Sequence, residues 1–175
     1  RHVNSLGYAY MHAVMLSLLA DRPERDALIA EMLHFTTEHR LELWRGYAEQ
    51  FQAIAGLPGD TAGALRKLER SRAGLKARNA SLFSSTLAVD AAERLLAAGH
   101  ATDAMNLLDE AEALIEATGE RYAEPEFHRI RGLTLLAAGH DREEARSHLR
   151  TAARLGAERG AGNWQGRAER NLQQT

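Results

Sequence analysis

Apolar positions along the chain recur every three or four residues, the spacing that lines one face of a helix. Trp44, Tyr47, Ala48, Phe51, Ile54 and Ala55 share such a face, and so do Ala104, Leu107, Leu108, Ala111, Leu114 and Ile115. Phe127, Ile130, Leu133, Thr134 and Ala137 repeat the arrangement. No stretch of strand length alternates apolar with polar residues. The pattern predicts helices over about 3–19, 25–39, 41–56, 60–78, 81–98, 101–118, 123–138, 141–159 and 162–173. Pro23, Pro58 and Pro125 fall in the loops or first turns between them, where a missing N–H costs little.

These helices come in pairs with a step of about 40 residues. Leu95–His100 and Leu135–His140 are the same six residues, and Gly59 precedes Gly99 by the same step. A small residue, Ala64, Ala104 or Ala145, is followed one turn later by Leu68, Leu108 or Leu149, and then by Ser71, Ala111 or Ala152. Small residues followed by leucine let two helices approach and then interlock. Gly59, Gly99 and Gly139 mark the turn inside a pair. Asn79, Gly119 and Gly160 suit the left-handed position that ends a helix. Trp44, Phe83, Tyr122 and Trp164 open successive segments. Asp141 and Glu144 have the spacing of a capping box.

The expectation is an all-α fold, a right-handed α-α superhelix formed by a single repeat array over 1–175. Its four helix pairs would cover about 3–39, 41–78, 81–118 and 123–159. A terminal helix at 162–173 either opens a fifth pair or caps the apolar end. The first pair fits least well, because Ala27 has no leucine one turn later.

Composition narrows the function classes. Hydrophobic residues make up 45% and charged residues 26%, which is too apolar for disorder. A formal net charge of -2 gives no global attraction for nucleic acid or an acidic membrane. The absence of cysteine excludes disulfides, cysteine zinc sites and thiol nucleophiles, and fits a cytoplasmic compartment. No apolar run approaches the roughly 18 residues needed to span a bilayer. The chain opens at Arg1 with helical patterning close behind, which reads as a segment of a longer polypeptide.

Candidate chemistry is sparse. Gly59–Gly63 has two glycines but lacks the lysine of a phosphate loop, and it coincides with the repeat's turn. His34 and His39 are five apart, with no His-Glu-x-x-His pattern, and His100 and His140 repeat one turn position. His128 reads as a surface or inter-helix hydrogen-bonding residue. Glu143 and Glu144 sit in a first turn, where they favour the helix dipole. No catalytic set, metal site or cofactor site emerges, so the segment reads as non-enzymatic. A small residual class, a helical enzyme, would need a closed polar pocket with a perturbed acid or base.

Two charge blocks stand out. Residues 60–78 carry Arg66, Lys67, Arg70, Arg72, Lys76 and Arg78 against Glu69, while 101–118 carries Asp103, Asp109, Glu110, Glu112 and Glu116 with no cation. A solvated face explains the basic block best. Its functional alternative is a docking face for an acidic partner, with Arg66, Lys67 and Arg70 at its centre. Interleaved aromatics are missing, which argues against nucleic acid.

The glycine turn, small residue, leucine and second small residue resemble the tetratricopeptide repeat, with each helix extended by about a turn beyond the usual 34 or so residues. The run Thr118–Leu136 and the later Gly160–Ala168 resemble the C-terminal helical region of a bacterial protein group. Its members carry an adenylate/guanylate cyclase domain and a nucleotide-binding ATPase domain, and a related group has a DNA-binding transcriptional activator module instead. The resemblance implies a sensor or scaffold segment of such a protein, with no catalysis of its own. It also implies a concave groove lined by the first helix of each pair. Thr86, Val89, Glu93, Leu96, Glu126, Arg129, Leu133 and Leu136 would contribute to that groove. The places that clamp a terminal carboxylate in chaperone-binding repeats hold Val89, Glu93, Arg129 and Leu133 here, so no such clamp is expected. The expected partner is a protein, a peptide, a small effector or a neighbouring domain, without membrane or nucleic acid. A free-standing adaptor is the alternative, and the open apolar ends of an array offer a route to homodimers.

Overall fold

The computed structural model describes residues 2–20 and 22–175. Among them the regular elements are nine helices: α1 Val3–Leu19, α2 Arg25–Glu38, α3 Glu42–Gly56, α4 Thr61–Lys76, α5 Ser84–Ala97, α6 Ala101–Thr118, α7 Glu124–Ala137, α8 Arg142–Glu158 and α9 Gly162–Gln173. The chain divides into two compact units, one up to Leu82 and one over Phe83–Thr175. Within the first, α1 packs on α2 and α3, α2 on α3, and α3 on α4. Within the second, α5 through α9 each pack on the next helix, while α7 also touches α5 and α9. Each unit is therefore all-α and repeat-like, with helices meeting their chain neighbours and α1, α5 and α7 also meeting the helix two further on.

The helix ends are built as the sequence implies. Asn79, Gly119 and Gly160 hold φ of +53°, +71° and +66°, and Gly99 and Gly139 hold +85° and +76°. The two identical turns superpose in their hydrogen bonds. His100 N donates to Leu95 O at 2.9 Å and His140 N to Leu135 O at 3.0 Å, which satisfies carbonyls the helix leaves open. Arg40 adopts the same left-handed turn at φ +54°, although its residue type gives no hint of it.

One turn departs from its counterparts, and two local expectations are corrected. Gly59 stays out of the left-handed region, and its turn closes instead through Gly59 N and Asp60 N, both donating to Gly56 O at 3.1 and 3.2 Å. Asp60 then caps α4 by accepting from Gly63 N at 2.9 Å. Asp141 caps α8, but its carboxylate accepts from Glu143 N at 2.7 Å, one residue earlier than the capping-box spacing implies. Finally, α5 begins at Ser84 rather than 81, because Phe83 is left-handed at φ +58° and cannot continue into a helix.

The small-then-leucine pairs are interior. Ala64, Leu68, Ala104, Leu108, Ala145 and Leu149 are all buried, and a fully buried leucine contributes about 1.5–3 kcal/mol. The first unit's core is Met11, Val14, Met32, Tyr47, Phe51, Ile54 and Leu57. Trp44 lies against α1, where its indole N–H donates to Asn4 Oδ1 at 2.6 Å. Tyr47 accepts the Leu82 amide at 3.0 Å, which fixes the end of that unit. The deviant first pair shows its departure at Ala27, which is exposed, while Glu31 accepts the Tyr10 hydroxyl proton at 2.7 Å. No helix among the described residues is long and apolar enough to cross a membrane.

Candidate functional site

In the second unit, α5, α7 and α9 bring four charged side chains together. Arg129 on α7 is nearly enclosed, its side chain 5% exposed. Its Nε donates to both Glu126 carboxylate oxygens at 3.0 Å, and its Nη2 reaches Glu126 at 2.7 Å and Glu93 on α5 as well. Arg167 on α9 bridges the same acids, at 2.5 Å to Glu93 and 2.9 Å to Glu126. Two guanidiniums thus balance two carboxylates. Burial alone would lower the Arg129 pKa, but Glu126 and Glu93 outweigh it and hold the guanidinium above its ordinary value.

Such a cluster can exchange partners at its open edge. Glu93 and Arg167 keep about a third of their side-chain area exposed, at 35% and 31%. Leu96, Leu133 and Leu136 are half-buried and belong to α5 and α7. Three of the groove residues expected from the sequence, Glu93, Glu126 and Arg129, are therefore in direct contact. Thr86 and Val89 are corrected: at 2% and 4% exposure they pack inside the unit and offer no surface. The Thr86 hydroxyl donates to Glu120 Oε1 at 3.2 Å, beside Ser85, which donates to the same oxygen at 2.6 Å.

No family model matches the chain, and no curated protein or solved structure matches it.

Arg66, Lys67 and Arg70 are exposed on α4 of the first unit and form no ion pair among the described residues. Arg70 also borders a crevice of about 80 Å³, where Arg45 pairs with Glu42 at 2.6 Å and with Glu49 at 3.5 Å. The acidic helix α6 belongs to the other unit, where Asp109 and Glu112 pair with Arg131 of α7 at 2.8 and 3.5 Å. His128 bonds between helices: its Nδ1 lies 2.9 Å from Nδ1 of His148 on α8. Burial and the neighbouring His148 push the His128 pKa down to about 4, and burial with Arg131 lowers that of His148. Both rings are thus neutral at pH 7, one donating and the other accepting. Among the described residues no three of His, Asp and Glu come together as a metal set.

Sequence reasoning missed Arg167. It stands 74 positions from Glu93, on a helix whose role the repeat leaves open. The available signal was charge balance. Glu93 and Glu126 outnumber Arg129 at groove positions, and a second cation was needed to bury them.

Proposed function

We propose that this chain is a non-catalytic interaction module, a regulatory or scaffolding segment of a bacterial multidomain signalling protein. Its partner is a protein, a peptide or a neighbouring domain, and it works in the cytoplasm without a cofactor. The observation that supports this most is the face of α5, α7 and α9. There a neutral, partly open ion cluster lies beside half-buried leucines, a mixed surface of the kind proteins use for reversible contacts. The parent protein is read from the resemblance of Thr118–Leu136 and Gly160–Ala168 to helical tails behind cyclase–ATPase or activator domains. A photoreactive residue placed at Leu133 or Leu96 in cells is expected to trap one discrete partner or domain, and Arg167→Glu is expected to abolish the adduct. Equal trapping from Ser147, exposed on α8, would overturn the assignment of this face.

A second reading, a free-standing adaptor that pairs with itself, is favoured by α1. That helix has no Asp, Glu, Lys or Arg, and it leaves Leu6, Tyr8 and Leu16 about half exposed, at 49%, 50% and 58%. Sedimentation equilibrium decides it: a dimer that Leu16→Glu returns to monomer supports self-pairing, and a monomer at all concentrations sinks it.

A further inference from the structure

Tryptophan opens a repeat segment once in each unit, and the two copies differ in one respect. Trp44 is 6% exposed, with its indole N–H satisfied by Asn4. Trp164 is half-buried at the edge of a hollow of about 860 Å³, and its indole N–H donates to no group among the described residues. The hollow is within the size range of small-molecule sites. Tyr122 stands edge-on to Trp164, with ring centroids 5.5 Å apart and planes at 80°, and remains 51% exposed. A half-exposed tyrosine edge-on to a half-buried tryptophan leaves aromatic surface uncovered, which a planar ring can cover by stacking.

The rest of the lining is cationic and polar. Arg121, Arg159 and Asn163 border the same hollow. One carboxylate, Glu124, serves both arginines: Arg121 donates to it at 2.6 Å, and Arg159 bonds to it and to the Arg121 carbonyl. Burial would raise the Glu124 pKa, but Arg159 and Arg121 hold it below the usual carboxylate range. Two guanidiniums against one carboxylate leave one positive charge in excess at the rim. Arg121, with 58% of its side chain exposed, has further N–H groups to offer.

We propose that this hollow, between the α6–α7 and α8–α9 connections, binds a small planar aromatic anion. Its ring lies against Tyr122 and Trp164, and its phosphate or carboxylate is held by Arg121. The combination distinguishes this place from the groove on α5, α7 and α9, whose charges already cancel. It does not depend on that groove having a partner.

The two tryptophans supply the test. In a proton–nitrogen correlation spectrum each indole gives one resonance, so Trp164 reports on the hollow and Trp44 serves as an internal control. Titration with phenyl phosphate is expected to shift the Trp164 indole to saturation and leave Trp44 in place. Arg121→Gln and Tyr122→Ala alter exposed side chains and are each expected to weaken binding by roughly tenfold. Circular dichroism melts check that both variants stay folded. An equal response to inorganic phosphate would make the site one for any anion and overturn the aromatic part. An equal response to benzyl alcohol would mean an apolar face suited to a packed helix or protein segment, and would overturn the anion part. No saturable Trp164 shift with phenyl phosphate rejects the proposal outright.

Discussion

Trp44, Tyr47 and Phe51 fill the first unit together with Met11 and Met32, all 6% exposed or less. In the second unit Phe127, at 3%, is the only aromatic side chain so enclosed among the described residues, and leucines with Ile115 and Ile130 supply the rest of the bulk, among Ala91, Ala92, Ala104, Ala111, Ala145, Ala152 and Ala168. Arg129 and Glu126 are buried there as well, at 4% and 6%. Both units use the same helix hairpin. One encloses several aromatic side chains, and the other encloses mostly aliphatic ones with alanine and buries charge on α7. The difference predicts how each responds to damage. Apolar bulk fails in proportion to the volume removed, whereas a buried ion cluster fails when one member is left without a partner.

The largest effects test that contrast directly. Arg129→Leu leaves Glu126 and Glu93 with Arg167 alone and is expected to cost about 3–5 kcal/mol in urea unfolding. The double change Glu126→Leu with Arg129→Leu is expected to cost less than Arg129→Leu alone, since it removes one charge of each sign. If the double variant is as unstable as the sum of the single ones, the cluster is not acting as a unit. Phe51→Ala is expected to cost a similar 3–5 kcal/mol or so through its cavity, with no neighbouring substitution able to offset it. Smaller is Gly7→Ala, where a methyl group would overlap the Trp44 ring; a loss of about 1–3 kcal/mol is expected by the same measurement. Next comes Asp60→Ala, which removes the cap of α4 and should cost roughly 1 kcal/mol.

A last test sharpens the comparison through pH. His128 binds its proton less readily in the fold, at about 4 against an ordinary 6.5, because of burial and then His148, with Arg131 and Arg154 adding to the effect and Glu124 opposing it. Between those two values the unfolded chain holds more protons than the folded one, so stability falls as pH is lowered through the window. Urea midpoints at pH 7 and 4.5 should show the decline, and His128→Gln should flatten it. A decline unchanged in that variant would place the titrating group elsewhere.

Much of the fold was legible because the repeat reports its own boundaries. Helix limits read from spacing differ from the observed ones by at most three residues, the largest offset being at α5, expected from 81 and found from Ser84. Asn79, Gly119 and Gly160 gave away their turns because few residue types tolerate that backbone. Arg40 and Phe83 adopt the same backbone without any compositional sign, since the surrounding packing imposes it. The charge cluster was half legible: Glu93, Glu126 and Arg129 lie at repeat-defined positions, but Arg167 depends on how α9 docks. Thr86 and Val89 share the helix of Glu93 yet are covered, and periodicity cannot say how deeply a helix is buried. The hollow was least legible, because Trp44 and Trp164 occupy one repeat position and differ only in what covers them.

The two identical turns have a consequence for how such a chain can change length. Leu95–His100 and Leu135–His140 agree in sequence, in left-handed glycine and in closing hydrogen bond. Excising residues 100–139 would therefore join α5 to α8 through a turn the molecule already makes, leaving no foreign junction. Duplicating the same stretch would add a whole hairpin with equal ease. A chain built this way can gain or lose one step of 40 residues, with each product joined at a turn sequence the fold already uses.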